Sequence, residues 1–281
     1  ARVADHEEFA WLALRHQLDS TLLECPTRLL TGFDFYLDRL AVDRYSEPER
    51  SLLLLDAIVE KYSYGAYLNH ETDLTESLTL TLGGRIEQAR YAADVKAGAG
   101  GMLVDDSETH TVSALSASLL YRPVDTLKLY TTFSTLYRLP FLDEQVSYYG
   151  YGSDTFYQDL DPETGTSFEV GGAWRLAPDW TAEASLYRLD MEDEIAYNPV
   201  IHENANLDET CHQGASAALG WQRAGLGAIK ARYSFTHAEF SSGANDGCRV
   251  PLVPRHHFNL AAQARLTTAL TLLATLHVSG N

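Results

Sequence analysis

Polar and apolar residues alternate with a period of two through most of this chain. In Leu78-Thr79-Leu80-Thr81-Leu82-Gly83-Gly84-Arg85-Ile86-Glu87, the residues Leu78, Leu80, Leu82 and Ile86 fall on one side and Thr79, Thr81, Arg85 and Glu87 on the other. Successive strand side chains point to opposite faces, so this spacing predicts a strand with one oily and one wet face. Phe168, Val170, Trp174 and Leu176 oppose Glu169 and Arg175 in the same way, and Phe258, Leu260, Ala262, Ala264 and Leu266 oppose His257, Asn259, Gln263 and Arg265. Leu29, Phe33, Phe35 and Leu37 oppose Asp34 and Asp38; Ile229, Ala231, Tyr233 and Phe235 oppose Lys230, Arg232 and Ser234; Leu270, Leu272, Leu276 and Val278 oppose Thr271, Thr275 and His277. About twelve such segments are predicted.

The connections between them alternate in length. Short polar turns are expected near 73–76, 123–126, 177–179, 223–225 and 267–268, with a longer one at 19–26, and long acidic or aromatic loops at 43–57, 94–110, 137–164, 192–210 and 241–254. Brief turns at one end and long loops at the other are the pattern of a transmembrane, antiparallel, up-and-down β-barrel of the outer-membrane type. Segments such as 27–42 and 226–240 are long enough for a tilted crossing, which takes about nine to eleven residues. Aromatic residues gather near strand ends, with Trp180 and Trp221 beside short turns and Tyr62, Tyr64, Tyr91, Tyr187 and Tyr197 toward the long loops, as interfacial girdles would. The rival architecture is a soluble, carbohydrate-binding β protein with two apolar faces packed together. Its dry interior would have to take Arg85, Glu87, Glu169, Arg175, Lys230, Arg232 and Arg265, which all share the inward parity and are costly to bury unpaired.

Composition then narrows the function. The 281 residues have a mean hydropathy of −0.20, a low value for a membrane protein but normal for a barrel, where only every second residue meets lipid. A formal charge of −18 excludes a nucleic-acid-binding role, which needs a basic face. Much of the acid lies in the connections, including Asp105, Asp106 and Glu108 and the run from Asp190 to Glu194. Such oxygens suit calcium, but their spacing makes no recognised calcium loop. No Ser/His/Asp or paired-carboxylate constellation stands out, so no catalytic residue and no cofactor is assigned.

Cys211 opens one strand at its long-loop end, and Cys248 lies in the long loop after the next strand. In a meander the two share a rim on the oxidising side of the membrane, so a Cys211–Cys248 disulfide is expected. Cys25 belongs to a short turn at the opposite rim and is left over. The chain begins at Ala1 without a leader and stops at Asn281 as a strand ends, and the reading from this is a fragment of a longer barrel.

Two motifs make the pattern specific. Leu129-Tyr130-Thr131-Thr132-Phe133-Ser134-Thr135-Leu136-Tyr137-Arg138-Leu139-Pro140, followed by Leu160-Asp161-Pro162-Glu163-Thr164-Gly165-Thr166-Ser167-Phe168-Glu169-Val170-Gly171, resembles the paired strands that flank a long loop in TonB-dependent outer-membrane receptors. Leu74 to Arg85, Tyr187 to Ile195 and Val253-Pro254-Arg255-His256 resemble further elements of that family in the same order. The resemblance implies a barrel of about 22 strands around an N-terminal plug. This chain would then be a partial barrel over residues 1–281, lacking the plug, the TonB-contacting segment and the last strands.

The resemblance also implies a receptor in the bacterial outer membrane that captures a scarce nutrient and imports it with TonB-coupled energy. A ferric siderophore is the leading cargo; cobalamin, haem and metals are alternatives. The implied partners are the TonB complex, through the N-terminal region, a small-molecule metal chelate and membrane lipid. The 137–164 loop is the richest binding candidate. It carries Tyr148, Tyr149, Tyr151 and Tyr157, flat surfaces for aryl or macrocyclic ligands, with Arg138 at its base to hold an anionic group. No histidine lies between the Arg-Leu-Pro and Pro-Glu elements, where haem receptors of the family place one, and no metal ligand is assigned. His202, His212 and His237 lie near one rim, where they could approach one another, but chance surface positions are the favoured reading.

Overall fold

The computed structural model describes residues 2–46, 49, 51–98, 100–145, 160–198 and 203–281. Its strands are β1 Arg2–Leu22, β2 Cys25–Tyr45, β3 Leu53–Thr75, β4 Leu78–Ala97, β5 Met102–Val124, β6 Leu127–Arg138, β7 Glu163–Ala177, β8 Trp180–Glu192, β9 Ile195–Asn198, β10 Glu203–Asn206, β11 Thr210–Arg223, β12 Gly227–Phe240, β13 His256–Arg265 and β14 Thr271–Gly280. Twelve of them form one antiparallel sheet in chain order, in which β8 pairs with β11 while β9 and β10 make a separate hairpin. No described helix is long and apolar enough to cross a membrane.

The ladder registers reproduce the alternation read from the sequence. Asp34 stands opposite Gly65, Gly65 opposite Glu87, and Arg85 opposite Ala114, all on the inner face. Leu82, Ile86, Phe133, Phe168, Val170 and Trp174 are exposed on the outer face, where lipid would cover them. Small inner residues let large neighbours lie across the sheet. A Cβ on Gly214 would sit 2.7 Å from Tyr187 Cε1, and Tyr187 passes over that glycine to share a 3.0 Å hydrogen bond with Thr236.

Several boundaries differ from the sequence expectation. The turn placed at 19–26 is only Leu23 and Glu24, with φ of 51° and 67°. Two positive φ values match a tight hairpin turn whose twist suits the flanking strands, and an Arg28–Asp19 ion pair of 3.2 Å holds the ladder beside it. The loop expected at 94–110 is mostly strand, because β4 runs to Ala97 and β5 starts at Met102. Its acids had read as loop, yet Asp94 and Asp105 stand opposite each other in the ladder. Likewise the 43–57 loop shrinks to 46–52, and the 192–210 loop contains β9 and β10.

Strands β1–β5 are 20 to 23 residues long, roughly twice what a crossing needs. Toward the long-loop end their inner face turns apolar. Val42, Leu55, Ala57, Val59, Ala89, Tyr91, Ala93, Val95, Val104 and Val112 are buried there, together with Leu139 and Leu142 from the connection after β6. Tyr91 and Tyr187 are therefore not girdle residues: both are on the inner face, and Tyr91 is fully buried.

Candidate functional site

Strand β6 leaves β5 after Ser134, the last residue paired between them on the long-loop side, and climbs with β7 alone until Arg138 meets Glu163. The connection that follows turns inward. Its first residues lie over the apolar inner face of β3–β5, and a single helical turn, α1 Leu142–Gln145, sets Leu142 and Gln145 into that surface.

Two groups hold the turn from below. The Pro140 carbonyl accepts a 2.6 Å hydrogen bond from the Tyr91 hydroxyl and a 3.1 Å bond from the Lys61 ammonium. Lys61 also sits 5.0 Å above the Tyr91 ring, a cation–π arrangement that strengthens away from water. Gln145 is fully buried and donates to Glu108 at 2.8 Å.

Arg138 ties both ends of the connection together. Its guanidinium donates to Glu144 at 2.7 Å and Glu163 at 2.5 Å, and it lies 5.0 Å over the Phe141 ring. Glu144 also accepts the Phe141 N–H at 2.8 Å, while Glu163 accepts the Ile195 N–H at 2.8 Å. Charge-assisted bonds of this kind are the strong ones. In the structure Arg138 anchors the loop's base with two of its donors, which the sequence motif did not reveal.

The β9–β10 hairpin grips the same connection from the side. The Asn206 amide takes the Asp161 N–H at 2.9 Å and donates to the Asp161 and Asp193 carbonyls at 2.9 and 2.7 Å. Asn204 donates to the Glu144 carbonyl at 3.3 Å. Behind the hairpin, Glu194 accepts a short hydrogen bond from Thr210 and lies 3.2 Å from His212 Nε2. The His212 contact holds the Glu194 carboxyl below its ordinary range despite partial burial. Burial, with Asp161 and Glu192 nearby, pushes Asp193 upward.

Other sequence candidates fall differently. Tyr148, Tyr149, Tyr151 and Tyr157 lie outside the described residues, as does His202. The expected disulfide is not formed: Cys211 is a buried free thiol and Cys248 an exposed one. Cys211 stands opposite Glu239, whose backbone forms an isolated antiparallel β-bridge with Arg249, the residue after Cys248. His212 is inward and His237 outward, where it pairs with Glu239 at 3.0 Å. Among the described residues no group of His, Cys, Asp and Glu could hold a metal. Lys61, Tyr91, Gln145 and Asn206 were missed, since partners so distant in sequence leave no local spacing signal.

Residues 6–276 match the family model described as TonB dependent receptor-like, beta-barrel. No curated protein matches the sequence. Among solved structures, the chain is similar to the ferric-catecholate import receptor Fiu from E. coli K12, at TM-score 0.75 and 14% identity over 98% of this chain and 45% of that one. It is similar to the siderophore receptor PiuA from Acinetobacter baumannii at TM-score 0.75 and 17% identity, over 99% of this chain and 46% of that one. The copper transporter OprC aligns at TM-score 0.70 and 15% identity, over 94% of this chain and 43% of that one. The chain thus spans somewhat under half the length of these structures, and at such identities the likeness is one of fold.

Proposed function

The chain belongs to the TonB-dependent receptor β-barrel family of the bacterial outer membrane, and from that premise we propose that it is part of the wall of a receptor that binds a ferric siderophore and imports it with TonB-coupled energy. The plug and the TonB-contacting segment would lie in parts of the receptor other than residues 1–281. Members of this family are transporters rather than enzymes, so binding energy and applied force do the work of bond-making chemistry. The fold it shares with the ferric-catecholate import receptor Fiu and the siderophore receptor PiuA supports the siderophore cargo, and the copper transporter OprC marks copper as the second reading.

The observation that carries the proposal is the anchoring of the 139–162 connection. Its two ends are held by Arg138, Tyr91, Lys61 and Asn206 through bonds of 2.5 to 3.1 Å. On this reading Tyr148, Tyr149, Tyr151 and Tyr157, which the same connection carries, are the chelate-contacting side chains, their flat rings suited to aryl or macrocyclic ligands. Arg138, positioned at its base, couples ligand contact to the loop roots. The test is native mass spectrometry of the full-length receptor purified from outer membranes. A co-purifying iron-bearing small molecule is expected; a copper- or cobalt-bearing ligand would replace the siderophore as cargo.

A further inference from the structure

The bonds that seat the 139–145 turn on β3–β5 leave one buried polar side chain beside them unused, that of His110. It lies on the inner face of β5 and is 8% exposed, and its Nε2 is shielded from solvent without a hydrogen-bond partner among the described residues. The neighbouring outer side chains Gln88, Arg90, Thr109 and Thr111 are polar, which puts this level of the strands above the lipid.

Two contacts join the imidazole to the seated turn. Its ring meets the Tyr91 ring edge-on at 5.7 Å between centroids, and Tyr91 holds the Pro140 carbonyl. Two positions along the same face of β5, Glu108 places Oε2 3.6 Å from His110 Nε2, and that same oxygen accepts the 2.8 Å bond from Gln145. Gln145, fully buried, is the last residue of α1. One carboxylate oxygen therefore faces two groups, bonded to Gln145 and just beyond hydrogen-bond reach of His110.

The charges around the imidazole come from several elements. Glu108 on β5, Lys61 on β3 and Asp161 in the connection before β7 act on it. Around Tyr91 lie Glu87 on β4 and Arg138 and Glu144 at the first end of the connection. A neutral ring suits so dry a site, whereas a protonated ring carries a donor on both nitrogens, and a buried charge without a hydrogen-bonded partner is costly. Burial pushes the imidazole below its ordinary value of 6.5, with Asp161 pulling against it and Lys61 adding to the fall.

We propose that His110 is a proton-sensitive latch for the 139–145 turn: neutral, it leaves Glu108 to Gln145; protonated, it competes for that carboxylate and the turn leaves its seat. Seating is fully favoured above about pH 6.5 and weakens as pH falls from there through the lowered value of the seated state. Each unit of lowering corresponds to about a tenfold change in the ratio of seated to released turn. The latch acts on the turn whatever the cargo, so it does not rest on the siderophore reading.

The test uses the full-length receptor in detergent, with Cys25→Ser and Cys248→Ser and a nitroxide attached through Asp143→Cys, an exposed position of α1. Electron paramagnetic resonance is expected to show a mobile component that grows several-fold, reversibly, between about pH 7.5 and about pH 5.5. Deuterium exchange at the His110 ring C2 position, read by mass spectrometry, reports the titration of the same imidazole, with a midpoint expected below 6.5. The mobile component should grow by about tenfold for each unit of that lowering. His110→Phe and His110→Gln, neutral at every pH, should both abolish the response; the glutamine variant keeps a polar side chain should the phenyl ring not be accommodated. A label whose mobility ignores pH overturns the proposal, as does a response that persists in these variants or a midpoint at or above 6.5. Loss of the response in His212→Gln would assign it to the neighbourhood of the β9–β10 hairpin and overturn the proposal equally.

Discussion

Arg85 reaches Asp34 by lying directly over Gly65. The guanidinium of Arg85 on β4 donates to Asp34 on β2 at 2.8 Å, and the strand between them offers a glycine whose Cβ would stand 2.6 Å from Arg85 Nη2. Glu87 at 2.8 Å and the Tyr137 hydroxyl at 2.9 Å on β6 add two more hydrogen-bond partners, and the Tyr67 ring on β3 lies 5.7 Å from the guanidinium. Four strands are thereby joined across the inner face by one side chain.

Replacing Gly65 with valine should expel Arg85 from this arrangement. Overpacking typically costs about 1–3 kcal/mol, and here it also strands Asp34. The expected outcome is a lower melting temperature of the full-length receptor in detergent. Gly101→Val is the control, since nothing lies within 4 Å of a Cβ there, and it should melt as the parent does.

Tyr91→Phe removes the 2.6 Å bond to the Pro140 carbonyl but leaves the Lys61 bond in place. A loss of about 0.5–1.5 kcal/mol is expected, whereas Tyr91→Ala, which empties a fully buried site, should cost about 3–5 kcal/mol. Chemical denaturation of both variants measures the difference. Equal losses would show that the hydroxyl, not the ring, supports the turn.

Arg138→Ala leaves Glu144 and Glu163 without their shared cation. The roots of the 139–162 connection should loosen, with limited proteolysis there accelerating several-fold while the barrel stays intact. Arg138→Lys should recover only part of the protection, because an ammonium cannot reproduce the guanidinium fork.

Acid should act through Glu194. Its carboxyl is held below the ordinary value of 4.5 by His212 and Thr210, so its favourable contribution is fully present above that value and is lost as pH falls through the lowered folded one. Glu194→Gln should flatten the acid limb of the stability curve below about pH 4.5 and leave the neutral region less affected. An unchanged acid limb would assign the loss to other carboxylates.

Thiol labelling reports the orientation of the sheet. Cys248 is exposed in the connection after β12, and Cys25 lies at the opposite end beside Leu23 and Glu24. A membrane-impermeant maleimide applied to intact cells should label Cys248 and spare Cys25. Cys211, free but buried, should react only after unfolding. Labelling of Cys25 instead would invert the assignment of the two rims.

Much of the wall was legible in the sequence because period-two alternation is a local signal. The inner placement of Arg85, Glu87, Glu169, Lys230 and Arg232 followed from parity alone. Strand ends were less legible. Asp94 and Asp105 looked like loop residues, but a strand projecting beyond the lipid has water on its outer face and tolerates charge there. Tyr91 looked like a girdle residue for a related reason: an aromatic near a rim serves a core as well as an interface, and only the partner across the lumen decides. At the candidate site, the motif drew attention to Arg138, yet its partners Glu144 and Glu163 flank a connection whose folding inward leaves no periodic trace.

Receptor-dependent uptake of radioactive iron tests the central claim most directly. Cells producing the full-length receptor would be supplied with iron as siderophore chelates, with and without collapse of the proton motive force. Iron should accumulate only in energised cells that carry the receptor, and Arg138→Ala should reduce that accumulation. Accumulation independent of the receptor, or unaffected by loss of the proton motive force, would contradict the account.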